Sequence, residues 1–279
     1  SLNLTAGKKA MAMSDFFSAY SFFDHGISYL RKGHWTEQYD LSLELFNLAA
    51  TCALVNAEYT CLKIFTEQIM RFAKCSEDKY QAITISITLL AWSGNIPDAI
   101  SVIFDTLSSL GEEIPVTLTS YASQHLFDLT KSILDGVTDD ALLGYPKMED
   151  PSKIMTMQLL VRLSELLNFV GDNASLPVCS FKMIQISFMH GMSPLSPIGF
   201  VQYGNYLALC RGDFEDGYRY VKFALALMKS MSSRAHDGEI IWYSTHTRLY
   251  FEPMQSAVEL YLDGHMAALK SGATRYALF

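Results

Sequence analysis

The sequence predicts an all-α protein, a two-layer stack of about seven helical hairpins. Three observations predict it. Apolar residues recur at helical spacing through nearly the whole chain, strand-like alternation is almost absent, and a small residue followed by a large apolar one at i+4 and, in some units, another small one at i+7 returns about every forty residues. Half of the 279 residues are hydrophobic and mean hydropathy is +0.15, which excludes a disordered chain. A repeat array is not bound by the size limit of a single core, so 1–279 reads as one helical-repeat domain.

The first unit sets Ala19, Phe23 and Gly26 after a helix holding Ala6, Gly7 and Ala10. Cys61, Phe65 and Gln68 then follow Ala49, Ala50 and Cys52, and Ala99, Ile103 and Thr106 follow Leu89, Leu90 and the turn Gly94-Asn95. Cys179, Met183 and Ile186 come after the turn Gly171-Asp172. Gly217, Val221 and Ala224 follow Gly204 and Leu207, and Ala257, Tyr261 and Gly264 close the series. Small residues let paired helices approach, and the large one fills the groove between them. This is tetratricopeptide-like spacing on a repeat longer than the standard unit of about 34 residues. The fold class is therefore a tetratricopeptide-like α-solenoid.

A double gap between Ala99 and Cys179 implies a degenerate repeat near 117–150. Its first helix is expected over Leu118 to Leu134, and its second as a short turn over Asp139 to Leu143. Turn chemistry is densest around it, at 111–115, 135–136 and 144–151.

The longest uncharged stretch, Met183 to Cys210, is broken by Gly191, Pro194 and Pro197. It reads as helix, turn, helix, each half too short to cross a bilayer. Ser193 and Ser196, each directly before a proline, are expected as helix caps. Five cysteines without a C-x-x-C pair read as reduced, buried thiols of a cytoplasmic protein. The triplets at Asn3 and Asn173 are read as chance matches to a glycosylation signal, since no signal peptide precedes them.

Charged residues make up 18% of the chain, below the roughly 25% usual in soluble domains. The chain therefore buries much of its surface or is normally covered in part. Lys and Arg number 21 against 29 Asp and Glu, a net charge of −8. That sign opposes nucleic acid and anionic membranes as partners.

Chemistry-bearing motifs are missing. The only Gly-Lys, at Gly7-Lys8, has no glycine five residues upstream, and G-x-G-x-x-G, G-x-S-x-G and H-E-x-x-H do not occur. The seven histidines (His25, His34, His125, His190, His236, His246, His265) include no i, i+4 pair. His25 beside Asp24 reads as a packed or capping residue. The acidic pairs Glu112-Glu113, Asp139-Asp140 and Glu149-Asp150, with Asp213, Glu215 and Asp216, are expected at helix starts or turns, where carboxylates complement the helix dipole. Tyr203, Tyr206, Tyr218 and Tyr220 are expected in the core, or on a concave groove of the kind repeat arrays use for binding. No catalytic, cofactor-binding or metal residues are assigned, and ATP and duplex DNA are not expected to bind.

Several short runs carry more than repeat spacing. They are Ala6-Gly7-Lys8-Lys9-Ala10, Trp35 with Tyr39-Asp40-Leu41, Ser76-Glu77-Asp78-Lys79, Leu110 to Pro115, Pro146 to Pro151, His190 to Pro194, and Gly212-Asp213 with Gly217-Tyr218. In this order, across essentially the whole chain, they resemble the helical-repeat region of large multidomain signalling ATPases. In that family the region follows a serine/threonine kinase-like module and a predicted AAA-type ATPase, and precedes GAF and histidine-kinase or cyclase modules. The resemblance implies a non-catalytic scaffold or regulatory module that works through protein–protein contacts. None of the family's nucleotide-binding or phospho-acceptor residues occur here, so those modules are expected outside a fragment of a longer chain. The initial Ser1 and the helix-like segment Ala273 to Phe279 fit such a fragment.

The alternative is a stand-alone peptide-binding adaptor of tetratricopeptide type. The ends, with Leu2, Leu4, Met11 and Met13 on one side and Tyr276 to Phe279 on the other, lack the polar face of a capping repeat. Self-association through them is expected.

Overall fold

In a computed structural model of the chain, which describes residues 2–114 and 120–271, the described residues form fifteen α-helices, one 3-10 turn and no strand. The all-α prediction holds. Two compact units divide at Asp105 and Thr106.

The first unit holds α1 (Leu2–Ala12), α2 (Phe16–Ser28), the short α3 (His34–Glu37), α4 (Tyr39–Val55), α5 (Tyr59–Phe72), α6 (Tyr80–Trp92) and the start of α7 (Ile96–Ser109). α1 packs on α2, α2 on α4 and α4 on α5. Ala19, Phe23 and Gly26 all lie buried on α2, as their spacing predicts. On α5 the buried face is turned by one residue: Phe65 is buried, but its companions are Leu62, Thr66 and Ile69, while Cys61 and Gln68 are half-buried. The larger aliphatic side chains take the core because burial scales with apolar area. Leu4 and Met11 also pack on this core, leaving Leu2 and Met13 as the exposed apolar residues of that end. Trp35 sits between Phe46 and Phe72, its ring stacked on Phe72 at 5.4 Å. Tyr39 donates to the Asp78 carboxylate and accepts from the Lys74 amide at 2.8 Å.

The second unit holds α8 (Ser120–Leu134), α9 (Asp139–Leu143), α10 (Pro151–Val170), α11 (Leu176–His190), α12 (Ser196–Arg211), α13 (Phe214–Ser230), α14 (Asp237–Arg248) and α15 (Met254–Ser271). The short second helix of the degenerate segment lies where the sequence puts it, with Thr138 capping it through the Ala141 amide. Its first helix ends at Leu134 as expected; Leu118 lies outside the described residues, as do Ser1, Pro115 and Ala273 to Phe279. Left-handed glycines, Gly171 (φ 76°) and Gly212 (φ 71°), end α10 and α12; a residue with a Cβ is strained in that conformation.

α12 is the centre of this unit, packed on α11, α13 and α14. Tyr203, Phe200, Phe181 and Phe223 are fully buried around it. Cys179, Met183 and Ile186 on α11, and Gly217, Val221 and Ala224 on α13, are all buried as their spacing predicts. On α15 Gly264 is buried and Tyr261 half-buried; the Ala257 side chain lies outside those described.

The uncharged stretch divides as expected, α11 ending at His190 and α12 starting at Ser196, and among the described residues no helix is long and apolar enough to cross a membrane. The two Ser-Pro hydroxyls do not cap α12. Ser193 Oγ accepts from the Leu195 amide, and Ser196 Oγ accepts from the Ser193 amide and meets Ser187 Oγ at 2.7 Å. Both are buried, so they serve the polar groups of the turn itself rather than the helix end.

The cysteines are all free, but only Cys52 and Cys179 are buried; Cys75 and Cys210 are exposed. Cys75 lies in the connection after α5, and Cys210 in the last turn of α12. Burial pushes the Cys52 thiol up to about 11 and that of Cys179 up to about 12.

Candidate functional site

A groove of about 250 Å³ runs along α12 in the second unit. Gln202, Asn205, Tyr206 and Leu209 fall at i, i+3, i+4 and i+7 and so share one face of the helix. The end of α10, the connection after it and the start of α11 supply Asn168, Asn173 and Leu176 in turn, and α14 supplies Trp242, Tyr243 and His246. The walls are therefore aromatic and carboxamide, with no formally charged side chain.

The two α12 amides are held differently. Asn205 is held at both ends: Nδ2 donates to the Tyr243 carbonyl at 2.9 Å, and Oδ1 accepts from Thr247 Oγ1 at 2.7 Å. It ties α12 to α14 and sets the width of the groove. Gln202 is half committed. Its Nε2 donates to Ser164 Oγ at 3.2 Å, while Oε1 is buried and has no hydrogen-bond partner among the described residues. A buried acceptor left unpaired costs free energy that a ligand N–H recovers. His246 stands edge-on to Trp242 at 4.7 Å, and burial holds its imidazole below the ordinary value of 6.5. At neutral pH it is an uncharged ring with one donor and one acceptor. No protein-family model matches this chain, and no curated protein matches it.

The remaining sequence-selected residues are dispersed. His25 is exposed, not packed, with Nδ1 2.6 Å from the Ser21 carbonyl oxygen. His34 pairs with Ser42 Oγ at 2.9 Å and stacks on Phe46, and His236 lies 3.5 Å from Glu239. Among the described residues no three His, Cys, Asp or Glu side chains are grouped so as to hold a metal ion. Asp150 and Asp213 cap α10 and α13 as expected, and Asp139 and Asp140 open α9. Glu112 does not start a helix. Its carboxylate meets Lys153 Nζ at 2.9 Å and Lys182 Nζ at 3.6 Å, linking the segment before α8 to α10 and α11.

Of the four tyrosines, Tyr206 lines the groove, while Tyr203 is buried on another side of α12 and Tyr220 is buried on α13. Tyr218 is half-buried, stacked on Phe251 at 4.4 Å and donating to Glu252. Sequence reasoning did not select Gln202, Asn205 or Trp242, and it named His246 without assigning it a role. The signal available was the pair of carboxamides three residues apart inside the uncharged stretch Met183 to Cys210, most of whose neighbours are apolar or aromatic.

Proposed function

We propose that this chain is a non-catalytic helical-repeat scaffold, a tetratricopeptide-like solenoid of about seven hairpins, that holds an extended protein segment in the α12 groove. The unpaired Gln202 Oε1 on an aromatic and carboxamide wall carries the reading. An extended peptide offers the backbone N–H such an acceptor lacks, and flat rings accept its side chains with little ordering cost. The family-like runs from Ala6-Gly7-Lys8-Lys9-Ala10 to Gly217-Tyr218 support a place as the regulatory module of a cytoplasmic signalling ATPase and kinase, with the bound segment coming from a neighbouring module.

Selection of a random peptide library on the chain tests this. Peptides enriched on the wild type and lost on Trp242→Ala and Gln202→Leu support it; no enrichment over those variants overturns it. Calorimetric titration with ATP is expected to give no heat of binding, and micromolar binding would replace the scaffold reading with an enzymatic one. The stand-alone adaptor differs in its partner: enriched peptides unlike any segment of the parent protein favour it.

A further inference from the structure

A second cavity, of about 270 Å³, opens between α8, α12 and α13. Tyr203 and Tyr220 line it, 1% and 6% exposed, their rings meeting at 5.1 Å. Neither hydroxyl forms a hydrogen bond among the described residues, and neither oxygen is among the buried atoms left without a partner, so both are open to the cavity. Burial holds both phenols above their ordinary value, so both keep their protons and can donate as well as accept.

Charges of both signs line the same cavity. Lys131 and Asp135 lie four residues apart at the end of α8, and Arg211 and Asp216 flank the Gly212 turn between α12 and α13. Their neighbours are already engaged. Arg219 donates to Asp139 from Nη2 at 2.7 Å and Nε at 3.2 Å, and Asp213 caps α13. Arg211 gives one N–H to Gln124 at 3.1 Å and lies over the Phe127 ring at 4.8 Å, and its other donors meet no hydrogen-bond partner among the described residues. Lys131, Asp135 and Asp216 form no ion pair among the described residues.

We propose that this cavity binds a free α-amino acid. The ammonium group donates to the Tyr203 and Tyr220 oxygens and to the carboxylates of Asp135 and Asp216. The carboxylate of the ligand accepts from Arg211 and Lys131. A simple amine meets the two cations as like charges, and a simple anion meets the carboxylates; a zwitterion satisfies both sets within one small molecule. The site is separate from the α12 groove, and its occupation does not depend on the peptide reading.

Calorimetric titration of the whole chain with each of the twenty common amino acids, and with methylamine and acetate as half-ligands, tests the proposal. At least one amino acid should bind, about tenfold or more tightly than either half-ligand. Tyr203→Phe, which removes only the hydroxyl, and Asp216→Asn, at an exposed position, should each weaken it about tenfold. Absence of binding by all twenty overturns the proposal, as does a half-ligand that binds equally well. Unchanged affinity in Asp216→Asn, or in a folded Tyr203→Phe, overturns the assigned contacts.

Discussion

Gly204 on α12 and Gly217 on α13 sit so close that a Cβ on either would lie 2.6 Å from the carbonyl oxygen of the other. Ala208 closes the same seam, 2.9 Å from the Cβ that Gly217 lacks. Backbone faces backbone here, so no side-chain rotation makes room for a substituent. Gly217→Ala should cost about 1–3 kcal/mol through overpacking. Gly217→Arg, and Ala19→Arg at the fully buried α2 position, should each cost about 4 kcal/mol or more. Glu149→Arg, on an exposed connection, should stay within about 0.5 kcal/mol. Urea unfolding of the four variants checks the order; equal midpoints would refute the helix contacts described.

Glu112 binds two lysines from two helices with little solvent around it, the three side chains being 12%, 16% and 19% exposed. Glu112→Gln keeps the shape and removes the charge, leaving Lys153 and Lys182 facing each other across a neutral amide. The expected loss is about 1–3 kcal/mol. Glu113→Gln, its exposed neighbour, should change little. Thermal melts of the two variants separate this tertiary role from a local turn preference.

His246 contributes to the pH response of the second unit. Burial lowers its folded-state value below 6.5, while the unfolded chain titrates near that figure. The unfolded state therefore binds more protons as pH falls through about 6.5. Stability is present in full above that pH and declines as pH drops toward the lower folded value. His34, also lowered by burial, acts in the same sense in the first unit. Glu252 is held low chiefly by the hydrogen bond from Arg248, so its contribution is lost in a separate window below about pH 4.5. Urea midpoints between about pH 7.5 and 5.5 should fall in the wild type and fall less in His246→Gln. Parallel slopes would remove His246 as the cause.

Local signals in the sequence were enough for the helices. Thr138 and Gly144 bracket the five-residue α9, Gly171 and Gly212 mark two helix ends, and Ala19 with Phe23 marks a buried stripe. What failed depended on partners distant in the chain. The buried side of α5 was decided by which large side chains meet α4, not by its small residues. Ser196 found Ser187 across a turn, and Glu112 found Lys153 forty-one residues on. The α12 groove has no motif, because its amides and rings come from α10, the connection to α11, α12 and α14, which only the packing of α10 on α11 and of α12 on α11 and α14 brings together.

Gln202 offers a test in which stability and binding should part. Its Oε1 is a buried acceptor without a partner, so Gln202→Leu replaces an unsatisfied group with an apolar one of similar size at the loss of one 3.2 Å hydrogen bond to Ser164. Stability should change by no more than about 1 kcal/mol in either direction. Peptide binding in the groove should weaken by more than that. A variant that loses several kcal/mol of stability would show that Gln202 is a structural residue.

α15 turns an apolar line outward. Met254, Val258, Leu262, Met266 and Leu269 follow one another at four, four, four and three residues and are each at least 50% exposed, with Met254 at 77%. Its other face is occupied, for a Cβ on Gly264 would lie 2.9 Å from Ile241 of α14, and one on Gly238 would lie 2.7 Å from Ala268. In stacked helical repeats a line of this kind is the surface that the next helix covers, and a continuous apolar patch on a monomer tends to find a partner. The chain in isolation should therefore self-associate through α15, with a second copy taking the place of a covering helix. Light scattering should rise with concentration for the wild type. Leu262→Glu sets a charge in the middle of the line and should return the chain to a monomer while shifting its own stability by no more than about 0.5 kcal/mol, as expected of an exposed position. A wild type that stays monomeric across the concentration series would mean that the α15 face needs no cover.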